Sequence, residues 1–229
     1  MPQSADHARS VRSYVMRAGR ITDAQQRALR ELWPRYGVDF GPGVLDLDGL
    51  FGRRAHRTLE IGFGNGEHLL ECARAAPDRD FLGIEVHRPG VGHLLLGAAQ
   101  AGISNLRVLA HDAVEVLEQQ IPPASLDTLQ LLFPDPWPKT RHHKRRLVSP
   151  QFVELVASRL RPGARMHLAT DWEPYAVHMQ CVLDACDALA NCAPGGGFLD
   201  SGPARTATRF ESRGERLGHR VRELLYQRR

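Results

Sequence analysis

The chain has 229 residues, of which 42% are hydrophobic and 24% charged, with a net charge of +4. That length suits one α/β domain with a short appended segment. No apolar run reaches the roughly 18 residues of a spanning helix, and no apolar stretch follows the N-terminal arginines, so a cytoplasmic protein with no membrane contact is expected.

Residues 1–10 read as disordered. The stretch 10–36 is arginine-rich and partly helical, with Thr22 placed to cap a helix over 24–32 that closes at Trp33-Pro34. Residues 37–54, rich in Gly, Asp and Pro, read as a connection, so 1–54 is taken as a basic N-terminal segment and 55–229 as the main domain. A regular alternation then begins. Residues 57–62 predict a buried strand, 67–76 a helix stopped by Pro77, 80–86 a second strand, and 91–100 a helix ended by Gly102. A strand over 105–110 and a short helix over 113–120 follow. Residues 126–133 form an apolar run, as a strand covered on both faces requires. Ser149-Pro150 starts a helix that runs to 160 and stops at Pro162-Gly163. A strand over 164–170, a helix over 174–189, and strands near 197–199 and 221–227 complete the pattern. The sequence predicts an α/β fold: a doubly wound, mostly parallel seven-stranded sheet with helices on both faces. In such a sheet, ligands sit outside the carboxyl ends of the strands.

The residues after each strand therefore matter most. After the first come Glu60, Gly62, Gly64 and Gly66, glycines that let backbone approach a ligand closely. A dinucleotide loop wants a third glycine where Glu67 stands, and the Glu60 carboxylate would repel a pyrophosphate. The same carboxylate attracts the ammonium and sulfonium of S-adenosylmethionine (SAM), so electrostatics favour SAM over NAD. Glu85, at the end of the second strand, is placed to accept both ribose hydroxyls, and Asp112, after the third, the adenine amino group. At this point the chain resembles the class I SAM-dependent methyltransferases.

The fourth strand runs into Phe133-Pro134-Asp135-Pro136-Trp137-Pro138-Lys139, a proline-stiffened loop that holds a carboxylate and an indole in place. Trp137 is read either as a stacking platform for a base or as a plug under the loop. Arg141, His142, His143, Lys144, Arg145 and Arg146 follow at once as a phosphate-binding patch. Charge is segregated: residues 1–37 hold seven basic against three acidic side chains, 38–138 seven against fourteen, and 139–146 five against none. An acidic centre flanked by basic patches suits a polyanionic partner. The four cysteines, at 72, 181, 186 and 192, form no C-x-x-C pair; reduced, mostly buried thiols and no metal site are expected.

"FPDPWPK" followed by a basic run resembles the bacterial tRNA (guanine-N7)-methyltransferases. So do "RSYVMRAGRITDAQQRAL", "LEIGFGNGE", "GIEVHRPGVG", "HDA", "ATDW" and "TRFESRGERLGH", in order over about residues 10–228. The resemblance implies methyl transfer from SAM to N7 of a variable-loop guanine in tRNA, with no obligate protein partner evident. It implies that Glu60, Glu85, Asp112 and Asp135 contact SAM and that Asp135 is catalytic. Lys139, Asp171, Thr208, Arg209, Phe210 and Glu211 would bind the guanosine, and 141–146 and the N-terminal segment the RNA. Arg209 stands where Lys is common in this family, which keeps the cation but changes its hydrogen-bond geometry. A SAM-dependent enzyme of another RNA base, or a non-catalytic RNA-binding module, is the alternative reading.

Overall fold

A computed structural model of the protein describes residues 12–14, 19–200 and 220–229. Residues 1–10 lie outside them, as do Thr208, Arg209, Phe210 and Glu211. Apolar strands with no polar alternation need cover on both faces, and the fold supplies it. Strands β2 (Arg57–Ile61), β3 (Asp80–Ile84), β4 (Leu106–Leu109), β5 (Leu126–Leu132) and β6 (Leu160–Thr170) are the parallel body of a sheet. A short strand β1 (Gly37–Val38) lies parallel to β4, while β8 (Arg222–Arg228) and β7 (Leu189–Asn191) run antiparallel beyond β6. The order is β1-β4-β3-β2-β5-β6-β8-β7.

Helices α1 (Asp23–Glu31), α2 (Trp33–Tyr36), α4 (Glu67–Ala75) and α5 (Arg88–Gln100) cover one face around Phe81, Leu106 and Val108. Helices α6 (Ala113–Gln119), α7 (Pro150–Arg159) and α8 (Glu173–Asp184) cover the other around Leu59, Leu129, Leu131 and Leu168. Each fully buried leucine here contributes roughly 1.5–3 kcal/mol. The start of α1 is fixed by a capping box in which Thr22 and Gln25 satisfy each other's backbone amides. A Cβ on Gly92 would come within 2.8 Å of the Gln25 carbonyl, so glycine lets α5 press against α1. Tyr36 is fully buried and its hydroxyl donates to the Ile103 carbonyl at 3.0 Å. Residues 23–38 are thus packed into the same sheet as the rest of the chain.

The sheet has eight strands among the described residues, where seven are expected. The added one, β1, is two residues long, too short to leave an alternation in sequence, and the stretch read as a connection also holds a short helix α3 (Leu47–Phe51). Strand β6 begins at Leu160 and carries Pro162-Gly163 inside it, with a register shift between Leu126 and Thr128 on β5 absorbing the extra residues. The strand expected near 197–199 gives way to β7 at Leu189–Asn191, where the long helix was expected to end. Gly195, Gly196 and Gly197 all take positive φ, which breaks an extended strand, and the Leu199 amide donates to the Glu223 carbonyl of β8 at 2.9 Å. The cysteines are free but not buried: Cys181 and Cys192 are exposed and Cys72 and Cys186 half-buried, so the expectation of buried thiols fails.

The chain leaves β2 outward to β3 and β4, then returns to β5 on the other side of β2. That reversal opens a crevice beyond the carboxyl ends of β2 and β5, the ligand position of open α/β sheets.

Candidate active site

Between β2 and α4 the chain must turn sharply, and Gly62, Gly64 and Gly66 do so with φ of 72°, 59° and 79°. A Cβ on Gly62 or Gly64 would meet nothing within 4 Å, so both leave open space beside the loop. On Gly66 it would come within 2.8 Å of the Leu94 side chain, which makes this third glycine a packing requirement. Gly90 matters equally. A Cβ there would sit 2.0 Å from the Gly64 carbonyl oxygen, so the first turn of α5 lies directly on the loop.

Glu60 and Glu85 end neighbouring strands and have different tasks. Glu85 accepts from the Gly64 amide through one oxygen, at 2.8 Å, and from the Val86 and His87 amides through the other, at 2.7 and 2.8 Å. It therefore pins the glycine loop to the end of β3, and it lines the small pocket there. Glu60 is 3% exposed and its Oε2 is buried with no hydrogen-bond partner. Burial, then repulsion from Glu85, pushes its carboxyl up to about 8. Glu60 lines a cavity of about 260 Å³ with Gly62, Gly64, His87, Leu132 and Phe133. A buried, unpartnered carboxyl facing a cavity fits a ligand cation, which is the donor the ammonium of SAM provides.

Asp112 caps α6 by accepting from the Val114 amide at 2.8 Å. The cap is an ordinary structural use, and it holds the carboxylate at the end of β4. Burial, then the Asp112 charge, raises the Tyr14 hydroxyl above its usual range.

Asp135 is exposed, three residues beyond β5, on a loop whose backbone is strained at Phe133 (φ 52°) and Trp137 (φ 46°). Trp137 is half-buried and held by its neighbours. Its Nε1 donates to the Ser13 carbonyl at 3.0 Å, the Arg145 guanidinium lies 4.7 Å from its ring centroid, and His142 meets it edge-on. The basic run forms a short 3-10 helix over Thr140–Arg145. Arg141 and Lys144 are exposed, while His142, His143 and Arg145 are half-buried. Residual burial and then the surrounding cations, Arg141 first, lower the pKa of His142. Arg146 departs from the expected phosphate contact. It is 8% exposed, donates to the Pro136 carbonyl at 3.0 Å and stacks over Tyr175 at 4.9 Å. A guanidinium so placed braces the Asp135 loop; nothing in a run of like charges distinguishes the inward one.

Lys139 is exposed at the start of the basic helix, and Asp171 is half-buried just after β6, on the same edge of the sheet as Glu60 and Asp135. The described part of the site is thus an acidic groove at the switch point with a stiff loop and a basic helix at its rim. Among the described residues no group of His, Cys, Asp or Glu is arranged to hold a metal.

Residues 54–224 match a family model described as "Putative methyltransferase". A tRNA (guanine-N(7)-)-methyltransferase of Halorhodospira halophila is 55% identical over 219 residues, covering 95% of both chains. Its namesake in Leifsonia xyli subsp. xyli is 57% identical over 94% of each chain, and that of Methylococcus capsulatus 54% over 98% of this chain and 97% of its own. Among solved structures, the aminoglycoside resistance methyltransferase NpmB1 superposes with a TM-score of 0.55 at 14% identity, covering 83% of this chain and 95% of its own. TrmN from Thermus thermophilus gives 0.53 at 18% identity, over 90% of this chain and 48% of its own. At those identities the two structures share the fold.

Proposed function

Because this chain belongs to the tRNA (guanine-N7)-methyltransferase family, we infer that it transfers a methyl group from SAM to N7 of a guanine in tRNA, giving 7-methylguanosine. The observation that carries this reading is identity above 50% to enzymes of that name across more than nine-tenths of the chain. The acid-ended strands and the basic rim are the chemistry such a reaction requires. SAM supplies, when bound, an electrophilic methyl on a sulfonium.

Guanine N7 carries a lone pair and no proton, so no general base is needed, and the protein's tasks are placement and charge. Holding the reacting atoms in line at about 3–3.5 Å lowers the barrier by several kcal/mol. Glu60 receives the ammonium in its buried cavity, and Glu85 and Asp112 serve the ribose and the adenine. Asp135 lies between the two ligands and stabilises the positive charge that appears on the purine. Lys139, Asp171 and Thr208, Arg209, Phe210 and Glu211 hold the guanosine, with Asp171 and Glu211 accepting from its Watson–Crick edge. Arg141, His142, His143, Lys144 and Arg145 meet phosphates. No helix among the described residues is long and apolar enough to cross a membrane. From the tRNA substrate we infer that the protein works in the cytoplasm.

The test is incubation with unmodified tRNA and isotopically labelled SAM, digestion to nucleosides and mass spectrometry of the labelled product. Label in 7-methylguanosine at a variable-loop position is expected. Label in another nucleoside overturns the base assignment, and label in none overturns the activity on tRNA.

A further inference from the structure

Parallel strands covered on both faces carry apolar side chains, and β5 does so at Leu129 and Leu131 on one face and at Leu132 on the other. Gln130 departs from that rule. It stands in the middle of a central strand, half-buried, and its Oε1 is buried with no hydrogen-bond partner. A buried acceptor left alone is costly, and a native fold keeps one only for a reason.

The sheet register points to the reason. Gln130 is paired with Glu60 of β2 on one side and with His167 of β6 on the other, so the three side chains stand in one row on the same face. His167 is 2% exposed and its Nε2 meets Glu223 Oε2 at 2.8 Å, so that nitrogen is committed to β8. On the other side, Glu60 Oε2 is also buried and unpartnered. Two orphaned acceptors are therefore neighbours across one strand pair, and an ionised carboxylate has no donor to offer the amide oxygen. Two residues further along the same face, Leu132 lines the cavity that Glu60 lines, and Phe133 lines it too. The pair thus lies at the inner edge of the cofactor cavity.

An ammonium carries three donors and no acceptor, and taking it out of water requires oxygens for more than one of them. A second oxygen from a neutral amide meets that need without adding to the repulsion between Glu60 and Glu85. We propose that Gln130 and Glu60 together form the ammonium receptacle of the cofactor site, with the Gln130 amide oxygen as its second acceptor, reached directly or through one bridging water. The proposal rests on SAM being the cofactor, and it adds a residue that distinguishes a tail bearing an amino group from one that lacks it.

The test varies the ligand and the residue together. Full-length wild type, Gln130→Met and Gln130→Leu are titrated by calorimetry with S-adenosylhomocysteine and with its deamino analogue, in which hydrogen replaces the amino group. Weak binding of the analogue is read by competition. Gln130→Met removes the oxygen at nearly constant length and Gln130→Leu removes it with a different shape, so one folded variant suffices, and thermal melts establish which is folded. Affinity for S-adenosylhomocysteine is expected to fall about tenfold, the scale of one hydrogen bond to a charged group, with affinity for the analogue within about twofold of wild type. An equal loss for both ligands makes Gln130 a packing residue and overturns the proposal, as does unchanged affinity for both. If wild type binds neither ligand, the cofactor reading itself falls and takes the receptacle with it.

Discussion

Glu60 stands near the end of β2 and Asp135 beyond the end of the adjacent β5, yet Glu60 is 3% exposed and Asp135 lies in the open. The first sits behind a glycine loop fixed by Glu85 on one side and pressed by Gly90 on the other. The second rides on a loop that is stiff in its own covalent structure but is held from outside, by Arg146, Trp137 and the Ser13 carbonyl. A buried carboxyl with no partner is built for a cation that arrives and is desolvated with it. An exposed carboxylate costs nothing until substrate covers it. On the proposed function, the groove is prepared in advance at the cofactor end and completed by RNA at the other.

If that contrast holds, Glu60→Gln produces the largest effect on cofactor binding. Losing a charge-assisted hydrogen bond costs about 1.5–3 kcal/mol, or roughly 10- to 100-fold in SAM affinity by calorimetry. The same variant reports on protonation. With the Glu60 carboxyl raised to about 8, the free protein holds that proton at neutral pH, and a bound ammonium expels it. Titrations in buffers of different ionisation enthalpy are expected to show close to one proton released near pH 7 by wild type and none by Glu60→Gln. The stability consequence has a fixed sign: the raised folded-state value means the contribution is fully present below the ordinary value of 4.5 and is lost as pH rises through about 8. Wild type loses up to about 1.4 kcal/mol per pH unit in that window from this group, and Glu60→Gln does not. Equal pH dependence in the two proteins would erase the contrast with Asp135.

At the RNA end, Arg141→Ala combined with Lys144→Ala removes two exposed cations from the basic helix. tRNA affinity is expected to fall about tenfold at moderate salt, and the slope of log affinity against log salt to flatten by about two. SAM affinity stays unchanged. A uniform loss of both would mean that the two ends are not separable. The smallest effect is assigned to Arg146→Lys, which keeps the charge and loses the planar fork over Tyr175. Turnover is expected to drop about three- to tenfold with tRNA affinity intact, since this guanidinium serves the loop and not the phosphates.

The parallel body of the sheet was legible because its strands are continuous apolar runs between punctuating Pro and Gly residues. So were the carboxylates of the groove, since the fold class fixes which ends of the strands face a ligand. The edges were not. A two-residue strand such as β1 has no period, and β7 lies in an apolar stretch that continues the helical text before it. Within the site, residue type announced the carboxylates but not their division of labour. Glu60 and Glu85 look alike in sequence, and only the path of the Gly64, Val86 and His87 amides makes one a clamp and the other a vacant acceptor. Arg146 was hidden for a related reason: a local pattern shows charge, while the partner that turns a side chain inward is distant in the chain.

The most direct test places both ends of the groove in one experiment. Asp135→Asn is compared with wild type for SAM binding by calorimetry and for single-turnover formation of 7-methylguanosine in unmodified tRNA. SAM binding within a few-fold of wild type is expected, with methyl transfer slowed about 10²- to 10³-fold, the scale of removing one preorganised charge-stabilising group. Near-normal methyl transfer by Asp135→Asn would contradict the account, because the exposed carboxylate would then have no part in the chemistry that its loop is braced to deliver.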